Sequence, residues 1–246
     1  MHMIASRLLI GLCAFLLTTP DLACAKTKAD INFAFPTDKA VKIVVFRPDV
    51  QVGSLGTSGI ESPNAEWTAQ GRKNLATALV KDQARQSKQV TFLEDREGAE
   101  GQMIADYQSL FRAVSGAIFQ HKFFGPKLPT KKGKFDWTLG PDVRKISDLT
   151  GANYALLLYT HDSYGTGGRK AMQVVAFLAF GAVVQAGIHV TYASLVDLDT
   201  GQVVWFNVKL GANGDPREAD GAEARIAQVL ETMPGRIPPA VQGAVK

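Results

Sequence analysis

Cysteine is nearly absent: the chain has 2 among its 246 residues, Cys13 and Cys24. Both stand in the first 25 positions, so neither a disulfide scaffold nor a cysteine nucleophile is expected beyond them. Histidine is scarce too, with 4 in all. After His2 they are His121, His161 and His189, without the His-x-x-x-His spacing or carboxylate partner motif of a zinc site. Neither sign of charge is in excess. The 27 basic and 23 acidic side chains leave +4, too little over this length for a nucleic-acid footprint. No apolar run approaches the roughly 20 residues that span a bilayer. What is present, 46% hydrophobic residues, excludes a disordered chain and suffices for one large domain or two small ones.

Residues 1–25 read as a secretory signal peptide. Arg7 supplies the positive start, residues 8–17 the apolar stretch, and Pro20 the break. Ala23 and Ala25 place small residues for cleavage after Ala25. The rival is lipidation of Cys24, but Asp21 stands three residues before it, where lipoprotein signals carry an aliphatic side chain. Cleavage leaves 246 − 25 = 221 residues. It removes one base, Arg7, and one acid, Asp21, so the charge stays +4. The expected location is periplasmic or secreted.

Along the rest, residues 26–39 form a polar lead-in, expected to be partly mobile. Residues 40–46 read as a buried strand. Residues 47–61, rich in Gly, Ser and Pro, read as a loop. Ser62-Pro63 resembles a helix start and predicts a helix to about Gln86. A short strand is expected at 89–93. A second helix near 101–120 carries one apolar stripe: Ile104, Tyr107, Phe111, Val114 and Ile118. A short helix over 141–150 ends at Gly151, a natural left-handed cap. Residues 153–160 (NYALLLYT) make the clearest strand. A Gly-rich loop at 165–168 precedes the apolar segment 171–189. Residues 190–197 and 202–209 form a hairpin. A last helix, capped by Asp215, carries Ile226, Val229, Leu230 and Met233 inward. The alternation fits one α+β domain over 40–246: a mixed β-sheet of about five strands covered by helices, with an apolar insert before the C-terminal hairpin.

From Gly151 onward the residues 151–156 (GANYAL) and 193–205 (ASLVDLDTGQVVW) carry a resemblance. They resemble the envelope α/β domains of the curli secretion lipoprotein CsgG, the penicillin-binding-protein activator LpoB and the TolB amino-terminal domain. There a "GA-x-Y" strand entry precedes an "L-x-x-V/D-x-x-TG-x-V" hairpin at similar separation. The resemblance implies a fold, and argues little about function. The pore-forming relative carries two membrane hairpins. Here residues 211–214 alone follow the later hairpin, with no room for another pair of membrane strands of about 9–11 residues each. Residues 174–184 also lack the alternation of a pore strand. A secretion pore is therefore not expected.

Residues 174–184 contain no polar side chain. Three fates are open to this segment: a core helix or strand pair, a surface for a partner or a second copy, or insertion into a membrane face. Phe177, Leu178 and Phe180 are its candidate contact residues. Lys122, Lys127, Lys131, Lys132 and Lys134 form a basic loop with Phe123, Phe124, Phe135 and Trp137 interleaved. That mixture suits an anionic membrane surface or an anionic envelope polymer, and otherwise a solvated loop covering the core edge. Lys122, Lys127, Lys131, Lys132 and Trp137 are the candidates there.

The remaining motifs point to structure. Residues 164–170 miss both the P-loop and the dinucleotide spacing. Asp199-Thr200-Gly201 matches the aspartic-protease triplet, but one copy lacks the second carboxylate, and it sits where a hairpin turn is expected. Asp197 and Asp199 have calcium-like spacing without the acid that closes such a loop. His161-Asp162 is the one acid–base pair in sequence, with Ser163 beside it and no nucleophile-elbow context. The expectation is a non-catalytic binding, accessory or scaffold component of an envelope assembly. No cofactor, metal or nucleic acid is expected, and the partner is an envelope protein or a second copy. The alternatives are a membrane-associated oligomer built through 171–189 and a hydrolase using His161.

Overall fold

The computed structural model describes residues 26–29, 33–182, 184, 187–211 and 214–237. The leader expected over 1–25 lies outside them. In chain order the elements are β1 (Lys26–Ala29), β2 (Lys42–Val45), β3 (Asp49–Leu55), β4 (Glu61–Pro63), α1 (Ala65–Asp82), β5 (Gln89–Phe92), α2 (Gly98–Ile118), α3 (Arg144–Thr150), β6 (Tyr154–Gly165), α4 (Gly167–Phe180), β7 (Gly187–Asp197), β8 (Val203–Leu210) and α5 (Ala219–Val229). This is an α+β fold built on one mixed sheet.

β6 is its axis. Continuous apolar residues suit a strand buried on both faces, and the alternation along β6 shows it. Tyr154, Leu156 and Leu158 enter one core, with Leu75 and Leu79 of α1 and Ile226 and Val229 of α5. Ala155, Leu157 and Tyr159 enter the other, with Phe111 and Ile118 of α2 and Ile146 of α3. On one edge β6 runs antiparallel to β7 from Tyr154↔Asp197 to Tyr164↔Gly187. On the other its first half pairs parallel with β2 and its second half with β3. The sheet order is β1-β8-β7-β6-β2-β5, with β3 and β4 extending it beside the second half of β6.

The sheet has eight strands, where about five were expected. The lead-in contributes β1, which pairs antiparallel with β8. Phe33 and Phe35 stack edge-on against Tyr154, so aromatic burial fixes part of a segment expected to be mobile. Residues 47–61, expected as a loop, hold β3 and β4. Val50, Val52 and Leu55 are buried from β3; the alternation of Val50 and Val52 breaks at the buried Gly53, which hides the strand in the sequence. Ser62 and Pro63 belong to β4, so they do not start the helix. Asn64 does, its side chain accepting from the Trp67 N–H at 2.9 Å.

The C-terminal expectations held in part. Gly151 is the left-handed cap after α3 (φ 66°). Gly201 closes the β7–β8 turn at φ 75°. A Cβ there would lie 2.1 Å from the Gly140 carbonyl oxygen, so only glycine fits. Asp215 does not cap α5, whose N-cap position is Glu218.

Candidate functional site

Two regions were singled out from sequence, and the structure treats them differently. The apolar segment forms α4, and it is not core. Thr166 caps it, accepting from the Arg169 N–H. Arg169 is its one buried residue, and its guanidinium donates to the Gly56 carbonyl at 3.0 Å. That bond ties the start of α4 to the tip between β3 and β4. Beyond it the helix projects. Val174, Val175, Phe177, Leu178 and Phe180 are 52–83% exposed. Gly181 ends the helix in the left-handed conformation, its N–H donating to Phe177 O at 2.9 Å, while Ala182 N–H reaches Ala176 O. The Gln173 amide then donates to the Val184 carbonyl at 2.6 Å. The core reading is thus corrected for residues 174–180: α1 and α5 pack on one face of the sheet and α2 and α3 on the other, and the large apolar side chains of α4 stay exposed, while residues 187–189 of the same segment enter the sheet as the start of β7. Among the described residues no helix is long and apolar enough to cross a membrane.

The basic loop splits into two functions. Its aromatics cover the core edge. Phe123 stacks on Phe206 at 6.0 Å, Phe135 packs against the same cluster, and Trp137 is buried. Its lysines surround a cavity of about 230 Å3, lined by His121, Lys122, Lys127, Lys131, Lys134 and Trp137 among others. Lys132 does not line it and instead holds a left-handed turn (φ 46°). Phe123 and Phe135 are spent on packing, and Trp137 alone of the three described rings meets the lysines at the cavity.

The acid–base pair read from sequence is not a pair. Neighbours on a strand face opposite sides, so His161 and Asp162 part company. His161 Nε2 meets both oxygens of Glu61 on β4, at 2.8 and 2.9 Å. The Ser163 hydroxyl accepts from the Ile188 N–H. Asp162 is fully buried and receives Arg225 of α5 through Nη1 at 2.5 Å and Nη2 at 3.1 Å. His189 Nδ1 lies 2.6 Å from its other side, and the Thr160 hydroxyl adds a fourth contact. Arg225 also donates to the Gly214 carbonyl. Both carboxylate oxygens are met by donors, Oδ1 by Arg225 and His189 and Oδ2 by Arg225, as a buried charge requires.

Next to this knot, Tyr164 donates to Asp215 at 2.8 Å, and Arg217 lies over both the Tyr164 and Trp67 rings. Burial pushes the Tyr164 phenol up, and Asp162 and Asp215 push it further. Burial also tends to raise Asp215. The Arg217 guanidinium and N–H and the Tyr164 hydroxyl outweigh it, holding the carboxyl at about 2. Sequence reasoning missed this network. Its signal was legible in two places: a polar run, Thr160 to Tyr164, on an otherwise apolar central strand, and Arg225 inside the apolar stripe of α5. Both demand buried partners.

The turn motifs are structural. Asp197 Oδ1 accepts from the N–H groups of Asp199 and Thr200, each at 2.9 Å, which builds the expected turn. Among the described residues no three His, Cys, Asp or Glu side chains cluster as metal ligands.

No protein-family model matches the chain, and no curated protein matches it. Among solved structures it is similar to the PelC dodecamer of Paraburkholderia phytofirmans, with 14% identity and a TM-score of 0.40, over 89% of this chain and 100% of that one. It is also similar to the lipoprotein GNA1162 of Neisseria meningitidis, with 12% identity and a TM-score of 0.29, over 78% and 96%. Likenesses this distant carry no argument about function. They do not confirm the resemblance to the CsgG, LpoB and TolB domains. The residues behind that resemblance occupy a helix cap, a strand entry and a hairpin turn, positions that many α+β folds fill alike.

Proposed function

We propose that the chain is a non-catalytic binding component of an envelope assembly, and that it works by burying α4 against another molecule. One observation carries this: α4 is capped at both ends, and its second half, residues 174–180, is apolar and presents Val174, Val175, Phe177, Leu178 and Phe180 to solvent. Burying a large apolar side chain contributes about 1.5–3 kcal/mol before the cost of association, and α4 offers five. The envelope setting rests on the leader expected over 1–25. The non-catalytic reading is supported by the separate commitments of His161 to Glu61 and of Ser163 to the strand backbone.

Sedimentation of the detergent-free protein, with Phe177→Asp/Phe180→Asp beside the wild type, tests it. The expected outcome is a discrete oligomer, or a captured envelope partner, that the double variant loses while keeping its fold. A monomeric wild type whose partner profile the double variant leaves unchanged defeats the proposal.

A second reading, a membrane-associated oligomer, is favoured by the breadth of the apolar surface. At about 100° per residue, Val174, Val175, Phe177, Leu178 and Phe180 cover an arc of roughly 220°. That is wider than the stripe of about 100° that one packing partner covers. Fourteen residues extend about 21 Å, short of a hydrocarbon core of about 30 Å, so the helix would lie within one leaflet. Flotation of the wild type with phosphatidylcholine vesicles, lost in the double variant, selects this reading. A wild type that stays at the bottom of the gradient excludes it.

A further inference from the structure

We infer that the lysine-lined cavity beside Trp137 binds a phosphomonoester or diphosphate group. This cavity is lined by no residue of α4. Residues 122–137 contain five lysines and one acid, Asp136, so the loop carries 5 − 1 = +4, as much as the whole chain's net +4. The rest of the protein is neutral, and its basic character is concentrated around one concavity.

That concavity is built. The end of α2 continues as a π-helix, Phe119–Phe124, a distortion that gathers at functional sites. It turns Phe119 onto Tyr192 and Phe123 onto Phe206 and leaves His121 and Lys122 in the cavity wall. His121 Nδ1 lies 3.0 Å from the Pro126 carbonyl. A carbonyl only accepts, so Nδ1 is the donor in this contact, which holds the ring against the cavity wall. Lys122 donates to the Gly133 carbonyl at 2.9 Å. Lys131 donates to the Asp136 carbonyl, pairs with its carboxylate at 3.1 Å, and lies 4.6 Å over the Trp137 ring. These contacts fasten the two arms of the loop together. Lys127 and Lys134 make no ion pair among the described residues, and both are exposed.

No carboxylate side chain lines the cavity. Asp136 already balances Lys131, which leaves Lys122, Lys127 and Lys134 as the uncompensated cations of the lining, and a phosphate dianion or a diphosphate balances these better than a monoanion does. Lysine is a point charge with three donors, suited to a tetrahedral phosphate, while planar carboxylates favour the arginine fork. The group could reach the cavity on a lipid headgroup or on a soluble ester.

Calorimetric titration of the purified protein with sodium pyrophosphate, at about 0.15 M salt, tests the site. Saturable binding is expected, about tenfold weaker in Lys127→Gln/Lys134→Gln and unchanged in Lys73→Gln on α1 and in Phe180→Asp. An unfolding midpoint equal to wild type in the double variant shows that the loss is not misfolding. Absence of saturable binding, or equal weakening in Lys73→Gln, overturns the proposal. A second arm uses phosphatidylcholine vesicles carrying either phosphatidic acid, a phosphomonoester, or phosphatidylglycerol, a phosphodiester. Preference for phosphatidic acid, relieved by pyrophosphate, assigns the source to a lipid headgroup. Pyrophosphate binding without vesicle recruitment assigns it to a soluble ester. Equal recruitment by both lipids reduces the site to surface charge and overturns it.

Discussion

Asp162 and Phe180 stand a short distance apart in the chain and in inverted environments. The carboxylate of Asp162 is fully buried in the sheet, bound by Arg225, His189 and Thr160. The ring of Phe180 is 83% exposed. Ordinary partition would put each where the other is. Asp162 can stay inside because donors from Arg225 and His189 replace its water, and β6, β7 and α5 are cross-linked in the process. Phe180 stays outside because the sheet has two faces and four other helices already cover them. A charge inside is stable when its partners come from the same chain; the exposed apolar face of α4 is the surface that the proposed association would bury.

The largest effect expected is at the buried knot. Arg225→Met leaves the Asp162 charge without its main partner, at a cost of about 3–5 kcal/mol, read by urea unfolding. A loss under about 1 kcal/mol would mean that His189 and Thr160 suffice, and that the contrast with α4 is weaker than drawn. Next comes the neighbouring cluster and its pH dependence. Asp215 has a folded pKa of about 2, below the ordinary carboxylate value, so it stabilises the fold fully above about pH 4. That contribution disappears as the pH falls toward 2. Partial exposure reduces it to the order of 1–2 kcal/mol. Unfolding midpoints of wild type and Asp215→Asn should therefore differ at pH 6 and converge near pH 2; a constant gap would refute the linkage. Tyr164→Phe, which removes one hydrogen bond to Asp215, is expected to cost about 1 kcal/mol, measurable in the same assay. The smallest effect on stability is at α4. Phe177→Asp/Phe180→Asp should change the unfolding free energy by no more than about 0.5 kcal/mol while changing association most. A large destabilisation would show that α4 is part of the core after all.

Much of the scaffold was legible. The run over 153–160 announced a strand buried on both faces, Gly151 and Gly201 announced turns needing positive φ, and the stripe of α2 announced the face that meets the sheet. β3 was not, because the alternation of Val50 and Val52 breaks at Gly53-Ser54 before Leu55. The helix start was misplaced by two residues, since Ser62-Pro63 and Asn64 both satisfy local capping chemistry and only strand pairing with β3 separates them. For the candidate sites, the apolar segment and the lysines were visible as composition. Their states were not. Whether 171–180 is core depends on how many helices the sheet has room for, and whether aromatics in a basic loop are free depends on the core they sit against.

By itself the sequence determined periodicity, turn chemistry and charge: which residues could form strands and helices, where glycine had to stand, and that five lysines lie within one loop. These are short-range properties, set by backbone sterics and side-chain spacing. Tertiary structure alone decided the pairings. It sent His161 to Glu61 and Asp162 to Arg225, excluded α4 from the core, and drew the lysines around a cavity while their aromatic neighbours packed inward. Long-range contacts follow from competition for a limited buried surface, and no local stretch of chain records the result of that competition.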